Sequence, residues 1–299
     1  VTRTLSRQSR LEAIEEATAV LEGAGVEHPR QDAEWLLASV LGVERFGVYL
    51  DPARELSRAE GLHYRSLVAR RAGRAPLQHL LGFEEFHGVR LAVSPDALIP
   101  RPETEGLVRW VTEILRGEPT PVIVDVGTGT GAIACSLAHG LPALRVLAVD
   151  RSWSALAVAA KNVRALGLSG RVTLLAGDLL EPFRPCGLDL VVANLPYVPS
   201  RVVPSLPPEV SSFEPRLALD GGADGMALLR RLIVSAPAVL RSGGSLVMEI
   251  GEEQAGPLAS LLAAEGFTGI ESRRDLAGRE RYIAGRWASE PVIAPRRTC

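Results

Sequence analysis

Apolar positions recur at two different periods along the chain, and the change of period divides it. From Leu5 to about Arg74 they return every three or four residues. Leu11, Ile14, Ala17 and Leu21 mark one such stripe, and Trp35, Leu36, Ser39 and Val40 mark another. Gly23, Gly25, Pro29, Gly42, Pro52 and Gly73 punctuate these runs at short intervals. Ser57 followed by Glu60 reads as a capping box that opens a further helix. The spacing predicts a small helical bundle domain over residues 1–76. Residues 77–103 change character: FEEFHGVRLAV alternates around His87-Gly88 as a hairpin does, and Pro95 and the Pro100–Pro102 bracket follow it. This segment is predicted to be a hairpin linker.

From Thr104 the pattern alternates. Strands are predicted at 122–126, 145–149, 172–176, 188–193, 245–250, 268–271 and 281–285. Helices are predicted at 104–116, 131–140, 153–167, 225–241 and 253–265. Such alternation argues for an α/β domain over 104–299 with a doubly wound parallel sheet covered on both faces. Val122-Ile123-Val124 and Leu190-Val191-Val192-Ala193 are continuous apolar runs, as strands buried on both sides require.

Composition adds exclusions. The chain has 299 residues with 33 basic and 35 acidic side chains, a net charge of −2. That balance argues against a protein that holds nucleic acid through phosphate contacts. All basic residues but Lys161 are Arg, in both halves of the chain, so the bias is compositional and not a binding stripe. The first 74 residues carry eleven acids and eleven arginines, which excludes a basic arm. No apolar stretch is long enough for a membrane helix, and VTRTLSRQSRLEAIEEA lacks a signal core. Cys135, Cys186 and Cys299 share no metal or redox spacing, and the five histidines are scattered. No metal site is expected, and a reduced cytoplasm fits best.

Chemistry concentrates in two places. VIVDVGTGTGAIA sets Gly127, Thr128, Gly129, Thr130 and Gly131 at a predicted strand-to-helix turn, where backbone N–H groups can approach a ligand closely. Asp150, 23 positions after Gly127, ends the next strand, where a carboxylate can accept both hydroxyls of a ribose. Asp125 is placed to anchor a ligand ammonium group or to brace the turn. The loop also satisfies the dinucleotide fingerprint G-x-G-x-x-G/A, so by itself it leaves nicotinamide and S-adenosylmethionine enzymes equally open. Asp178, in AGDLLEP, can accept from an adenine amino group beside Leu179, or can simply cap its loop.

The second place is Asn194-Leu195-Pro196-Tyr197, at the carboxyl end of an apolar strand, where ligands sit in open α/β sheets. The Asn194 side-chain oxygen and the Leu195 carbonyl supply two acceptors for one planar –NH2. Pro196 stiffens the chain between them, and Tyr197 offers a ring face. An adenine amino group presents the same pair of protons as a glutamine amide, so the tetrapeptide alone does not separate a protein substrate from a nucleic acid. The loop from Val198 to Gly222 is long and Pro-rich, which points to a substrate-facing segment.

DVGTGTG, Asp150, GDLL and NLPY together resemble the S-adenosylmethionine-dependent methyltransferases that act on amide or exocyclic nitrogens. PLQHLLGFEEFHGVRLAVSPDALIPRPETE, SSFEPRLALDGGADG and RDLAGRERYIAGR narrow the likeness. With the helical N-terminal part, the chain resembles the bacterial release factor glutamine methyltransferases (the PrmC/HemK family) over nearly its whole length. The resemblance implies a seven-stranded Rossmann-like methyltransferase sheet. It implies that Gly127 to Gly131, Asp150, Asp178, Leu179 and Asn194 contact S-adenosyl-L-methionine, with S-adenosyl-L-homocysteine as product. It further implies that Asn194 to Tyr197 hold the glutamine of a release factor's Gly-Gly-Gln loop and carry the catalysis. A monomer with no direct nucleic-acid contact is expected. A ribosomal-protein glutamine methyltransferase and a nucleic-acid N-methyltransferase are the alternatives. One departure stands out: Leu195 occupies the position where the family pattern has Pro, which loosens the turn.

Overall fold

The computed structural model describes residues 8–185 and 187–288. Cys186, Cys299 and the opening residues VTRTLSR lie outside them. Two compact units result. One takes the chain up to Phe83 together with Pro207–Phe213; the other takes Glu84–Leu206 and the chain from Glu214 onward.

The first unit is built on α1 (Arg10–Gly23), α2 (Pro29–Leu41), α3 (Arg58–Ala72) and the short α4 (Leu77–Leu81). Ala13, Ile14, Ala17 and Leu21 of α1 pack with Leu36 and Leu37 of α2 and Leu67 of α3. Leu11 departs from the expected stripe and faces solvent. Each fully buried leucine contributes about 1.5–3 kcal/mol. The Ser57/Glu60 capping box is formed, and Ser9 with Glu12 makes a second one at the start of α1.

β1 (Phe83–Phe86) and β2 (Val89–Ala92) form the expected hairpin, and the boundary between the two units falls just after its first residue, Phe83. Both turn residues have positive φ, 45° at His87 and 80° at Gly88, the handedness that a two-residue hairpin needs. The 77–103 segment is therefore not one linker. Its helix α4 lies in the first unit, while Phe86 and Leu91 are buried in the core of the second. Then follow α5 (Thr104–Ile114), β3 (Val122–Val126), α6 (Ala132–Gly140), β4 (Arg145–Asp150), α7 (Trp153–Ala165), β5 (Val172–Ala176) and β6 (Leu188–Ala193). The chain goes on through the single turn α8 (Pro208–Ser211), α9 (Ala227–Ser235), β7 (Leu240–Glu249), α10 (Ala255–Ala264), β8 (Phe267–Arg274) and β9 (Glu280–Trp287).

The seven-stranded sheet runs β5-β4-β3-β6-β7-β9-β8. It is mixed and not all parallel, because β9 is antiparallel to both neighbours. The five residues between β8 and β9 are too few for a crossover and permit only a hairpin. The helix expected over 225–241 stops at Ser235. Pro237, without an N–H, sits in a short turn, and β7 starts at Leu240. The order reverses between β4-β3 and β6, which opens a crevice at the carboxyl ends of β3, β4 and β6.

The first unit is completed from far along the chain. Glu209, in α8, accepts from Arg74 through both oxygens at 2.7 Å each and from Arg71 at 2.9 Å. Arg71 also donates to Asp32 at 2.7 Å. Burial alone would raise the Glu209 pKa, but the hydrogen bonds from Arg74 and Arg71 outweigh it and hold the carboxyl at about 2. Burial dominates at Asp32 and pushes its carboxyl up. An unfolded glutamate titrates near 4.3, so the Glu209 contribution is present above that value and is lost as pH falls toward 2. Glu209→Gln is expected to cost about 2 kcal/mol at pH 7, between exposed and fully buried pairs. Thermal unfolding of both proteins at pH 7 and pH 3 checks this; a gap of equal size at the two pH values would contradict it.

Candidate active site

The turn after β3 is held from below and from the side. The backbone N–H groups of Gly127 and Thr128 both donate to the Val149 carbonyl of β4, at 2.9 and 3.0 Å. Asp125 is fully buried under the loop and accepts from the Thr128 hydroxyl at 2.7 Å and the Ala134 N–H at 3.2 Å. Its other oxygen has no partner among the described residues. Burial pushes the Asp125 carboxyl up to about 7. It braces the turn, the second of the two roles considered for it.

Gly127 has φ +73°, and a Cβ there would stand 2.8 Å from Leu195 Cδ2. Glycine is required because the β6 tetrapeptide packs directly on this loop. Gly131 serves a different contact: its missing side chain lets α6 approach Ala159 of α7. Asn162 of α7, buried, donates to the Thr130 carbonyl at 2.9 Å and is doubly bonded to the Ala92 backbone. It ties the hairpin to the glycine loop. An amide on the apolar face of α7 was the sequence signal for it.

Asp150 accepts from the Gly129 N–H at 2.9 Å and from the Ser152 N–H at 2.8 Å, one bond per oxygen. A carboxylate has about four acceptor directions, so each oxygen keeps capacity for a ligand hydroxyl. Asp178 is shared with Arg231 at 2.8 Å, so its acceptor is partly committed. Leu179 has φ +50°, a conformation that branched side chains rarely adopt and that clusters at ligand sites.

Asn194 donates through Nδ2 to the Thr104 hydroxyl at 3.0 Å. Leu195 is buried, so the position expected to be loosened by the loss of Pro is instead pinned by side-chain packing over Gly127. Tyr197 points its hydroxyl at Glu249 Oε1 at 3.1 Å, and its ring lies beneath the Arg281 guanidinium at 5.9 Å. Gly221 and Gly225 let the following loop close on this turn. A Cβ at Gly225 would stand in the Tyr197 carbonyl oxygen, and one at Gly221 would lie 2.6 Å from the Pro196 carbonyl oxygen.

One cavity of about 340 Å³ gathers most of the predicted residues. Gly127, Thr128, Gly129, Thr130, Asp150, Asp178, Leu179, Asn194, Leu195 and Pro196 line it, together with Arg101, Thr104 and Leu217. Gly131 and Tyr197 do not line it, for the reasons just given: one faces α7 and the other turns toward Glu249. The acids Glu249 and Glu214 escaped the sequence reading. Glu214 is buried against Arg101 at 2.6 Å, and burial pushes it up. Glu249 carried a signal, since it is an acid inside the apolar run LVMEI at the carboxyl end of a strand. The cavity walls suit an adenosyl sulfonium donor. A Cβ on Gly129 would meet nothing closer than 4.0 Å, so backbone here borders open space, with Asp150 capacity beside it.

The pattern of the PrmC N-terminal domain matches residues 12–82, and that of the methyltransferase small domain matches 108–204. The release factor glutamine methyltransferase of Moorella thermoacetica is 45% identical over 271 residues, covering 90% of this chain and 95% of its own. The chain belongs to the release factor glutamine methyltransferase family. The enzyme of that name from Geobacter sulfurreducens is 41% identical over 263 residues, covering 88% of this chain and 91% of its own. Among solved structures, the hMettl16 catalytic domain, in complex with a MAT2A 3′UTR hairpin, superposes with a TM-score of 0.57 at 18% identity. It covers 81% of this chain and 87% of that one, a likeness of fold alone. No helix among the described residues is long and apolar enough to cross a membrane.

Proposed function

We propose that this protein transfers a methyl group from S-adenosyl-L-methionine to the side-chain amide nitrogen of the glutamine in the Gly-Gly-Gln loop of peptide chain release factors. The observation that carries the reading is that one cavity joins the glycine loop and Asp150 to Asn194 and Leu195. When bound, the donor supplies an electrophilic sulfonium methyl. Asp150 would hold the ribose hydroxyls, the Gly127–Gly129 backbone would hold the methionine part, and Leu179 would contact the base.

An amide nitrogen is a poor nucleophile because its lone pair is delocalised into the carbonyl. The Asn194 side-chain oxygen and the Leu195 carbonyl accept its two N–H groups, orient it toward the methyl and favour the charge that develops on it. The proton passes to water after transfer, when the nitrogen is strongly acidic, so no positioned base is required. A glutamate carboxylate would meet two acceptor oxygens, at a cost of a few kcal/mol. The Tyr197 hydroxyl, bonded to Glu249, braces this arrangement, and its partly exposed ring is the face beside the amide plane.

The helical unit holds none of the cavity residues, and its part in this reading is to dock the folded factor so that remote contacts position the loop glutamine. The reaction belongs in the cytoplasm, where release factors act. Incubation of the purified protein with labelled donor and, separately, release factor, ribosomal protein, RNA and DNA tests the proposal. Label on the Gly-Gly-Gln glutamine supports it. Label on nucleic acid or ribosomal protein alone would replace it with one of the alternatives.

A further inference from the structure

Behind Asn194 the interior holds a run of hydrogen bonds that has a direction. Glu249, at the end of β7, is 1% exposed. Its Oε2 accepts from the Thr104 hydroxyl at 2.7 Å, and its Oε1 accepts from the Tyr197 hydroxyl at 3.1 Å. Thr104, also buried, is the first residue of α5. Its hydroxyl has a single proton. Once that proton is given to a carboxylate, which can only accept, Thr104 can only accept from Asn194. The Asn194 carboxamide must therefore present Nδ2 to Thr104, as it does at 3.0 Å, and Oδ1 lies on its opposite edge.

We infer that Thr104 and Glu249 are positioning residues that fix which face of the Asn194 carboxamide the substrate meets, and so make the site select an amino group over a carbonyl or carboxylate. The inference rests on the proposed function and deepens it. Arg281 of β9 secures the far end, 3.5 Å from the Tyr197 hydroxyl oxygen and donating to the Ile250 carbonyl at 3.3 Å.

Glutamine at 249 has nearly the shape of glutamate but can donate. Arg281 donates to the Tyr197 hydroxyl oxygen, so the Tyr197 proton keeps the oxygen of the new glutamine on its side. The amino group of that glutamine then gives a proton to Thr104, Thr104 gives its own to Asn194, and the carboxamide turns over. Protonation of Glu249 has the same effect. Burial pushes its carboxyl up to about 6 against the hydrogen bonds from Thr104 and Tyr197 and the charge of Arg281, while Glu103 adds to the rise. The groups around it are Glu103 and Thr104 on the α5 side, Tyr197 after β6, and Arg281 and Tyr282 on β9, with Asp275 beside Arg281.

The test is a set of full-length variants assayed on release factor, with donor affinity measured in parallel. Thr104→Val and Glu249→Gln should each lower kcat by about tenfold to 10²-fold, the scale of a misplaced reacting group, with donor Kd little changed. Thr104→Ser, which keeps the hydroxyl, should restore most of the loss. Wild-type kcat should fall as pH drops through about 6, and Glu249→Gln should lack that limb. A purely structural role for Glu249 predicts instead that its near-isostere glutamine works normally, and that result would overturn the inference. A second readout does not depend on the substrate. The Asn194 side-chain amide NMR signals, assigned by their loss in Asn194→Ala, should exchange slowly in the wild type and quickly in Thr104→Val. Equal exchange in both overturns the inference even if release factor proves not to be the substrate, whereas a wild type inactive on release factor that shows the slow signals removes only the proposed function.

Discussion

Asn194→Ala is expected to lower kcat on release factor by about 10²–10³-fold, the usual scale for one preorganised polar group at a reacting centre. Donor affinity should change only a few-fold. The alanine removes an acceptor for the amide N–H and also the Nδ2 group that occupies the Thr104 hydroxyl. The fold should survive, because the β6 run Leu190–Ala193 is buried between neighbouring strands and does not use this side chain. Single-turnover kinetics at saturating donor separates the two effects. A variant with near-normal turnover would leave Asn194 as a turn residue only.

The second large effect is expected at Asp150. Asp150→Ala should weaken S-adenosylmethionine binding by about 10²-fold, since hydrogen bonds to a charged acceptor are worth about 1.5–3 kcal/mol. Part of that loss will come from the loop, because the same carboxylate holds the Gly129 and Ser152 N–H groups. Asp150→Asn keeps one acceptor oxygen and puts an amino group where the other stood, so its affinity should fall between the two. Calorimetry on the folded variants decides it: an unchanged donor Kd for Asp150→Ala would reject the ribose assignment.

What could be read from the sequence followed from local physics. The runs at 122–126 and 188–193 are strands because continuous apolar residues are buried on both faces, and the glycine loop announces itself between a strand and a helix. The His87-Gly88 turn needed only two adjacent residues tolerant of positive φ. What could not be read depends on distant partners. β9 turns antiparallel because of its short link to β8, and its place beside β7 is set by pairing across some forty residues. The Tyr197 hydroxyl has a partner that no local pattern announces. Its orientation is decided by Glu249, 52 positions away. Leu195 is held by packing over Gly127, 68 positions earlier, which no local pattern shows. The end of α9 at Ser235 follows from local physics too, since Pro237 has no N–H to continue a helix.

The association of Pro207–Phe213 with the helical unit has a consequence for synthesis. Helices α1 to α3 leave the ribosome early, yet Arg71 and Arg74 wait for Glu209. Phe213 follows Phe83 by 130 residues, which at roughly 5–20 residues per second is a delay of about 6–26 s. During that interval the nascent bundle carries Asp32 as the only acid of this cluster opposite its two arginines. The strands β3 to β6 are all translated within it, so the helices close their ionic cluster only after half of the sheet exists. A single cut at the boundary near Phe83 therefore does not yield the native first unit, and a transplant of the bundle onto another enzyme would have to carry the 207–213 turn with it.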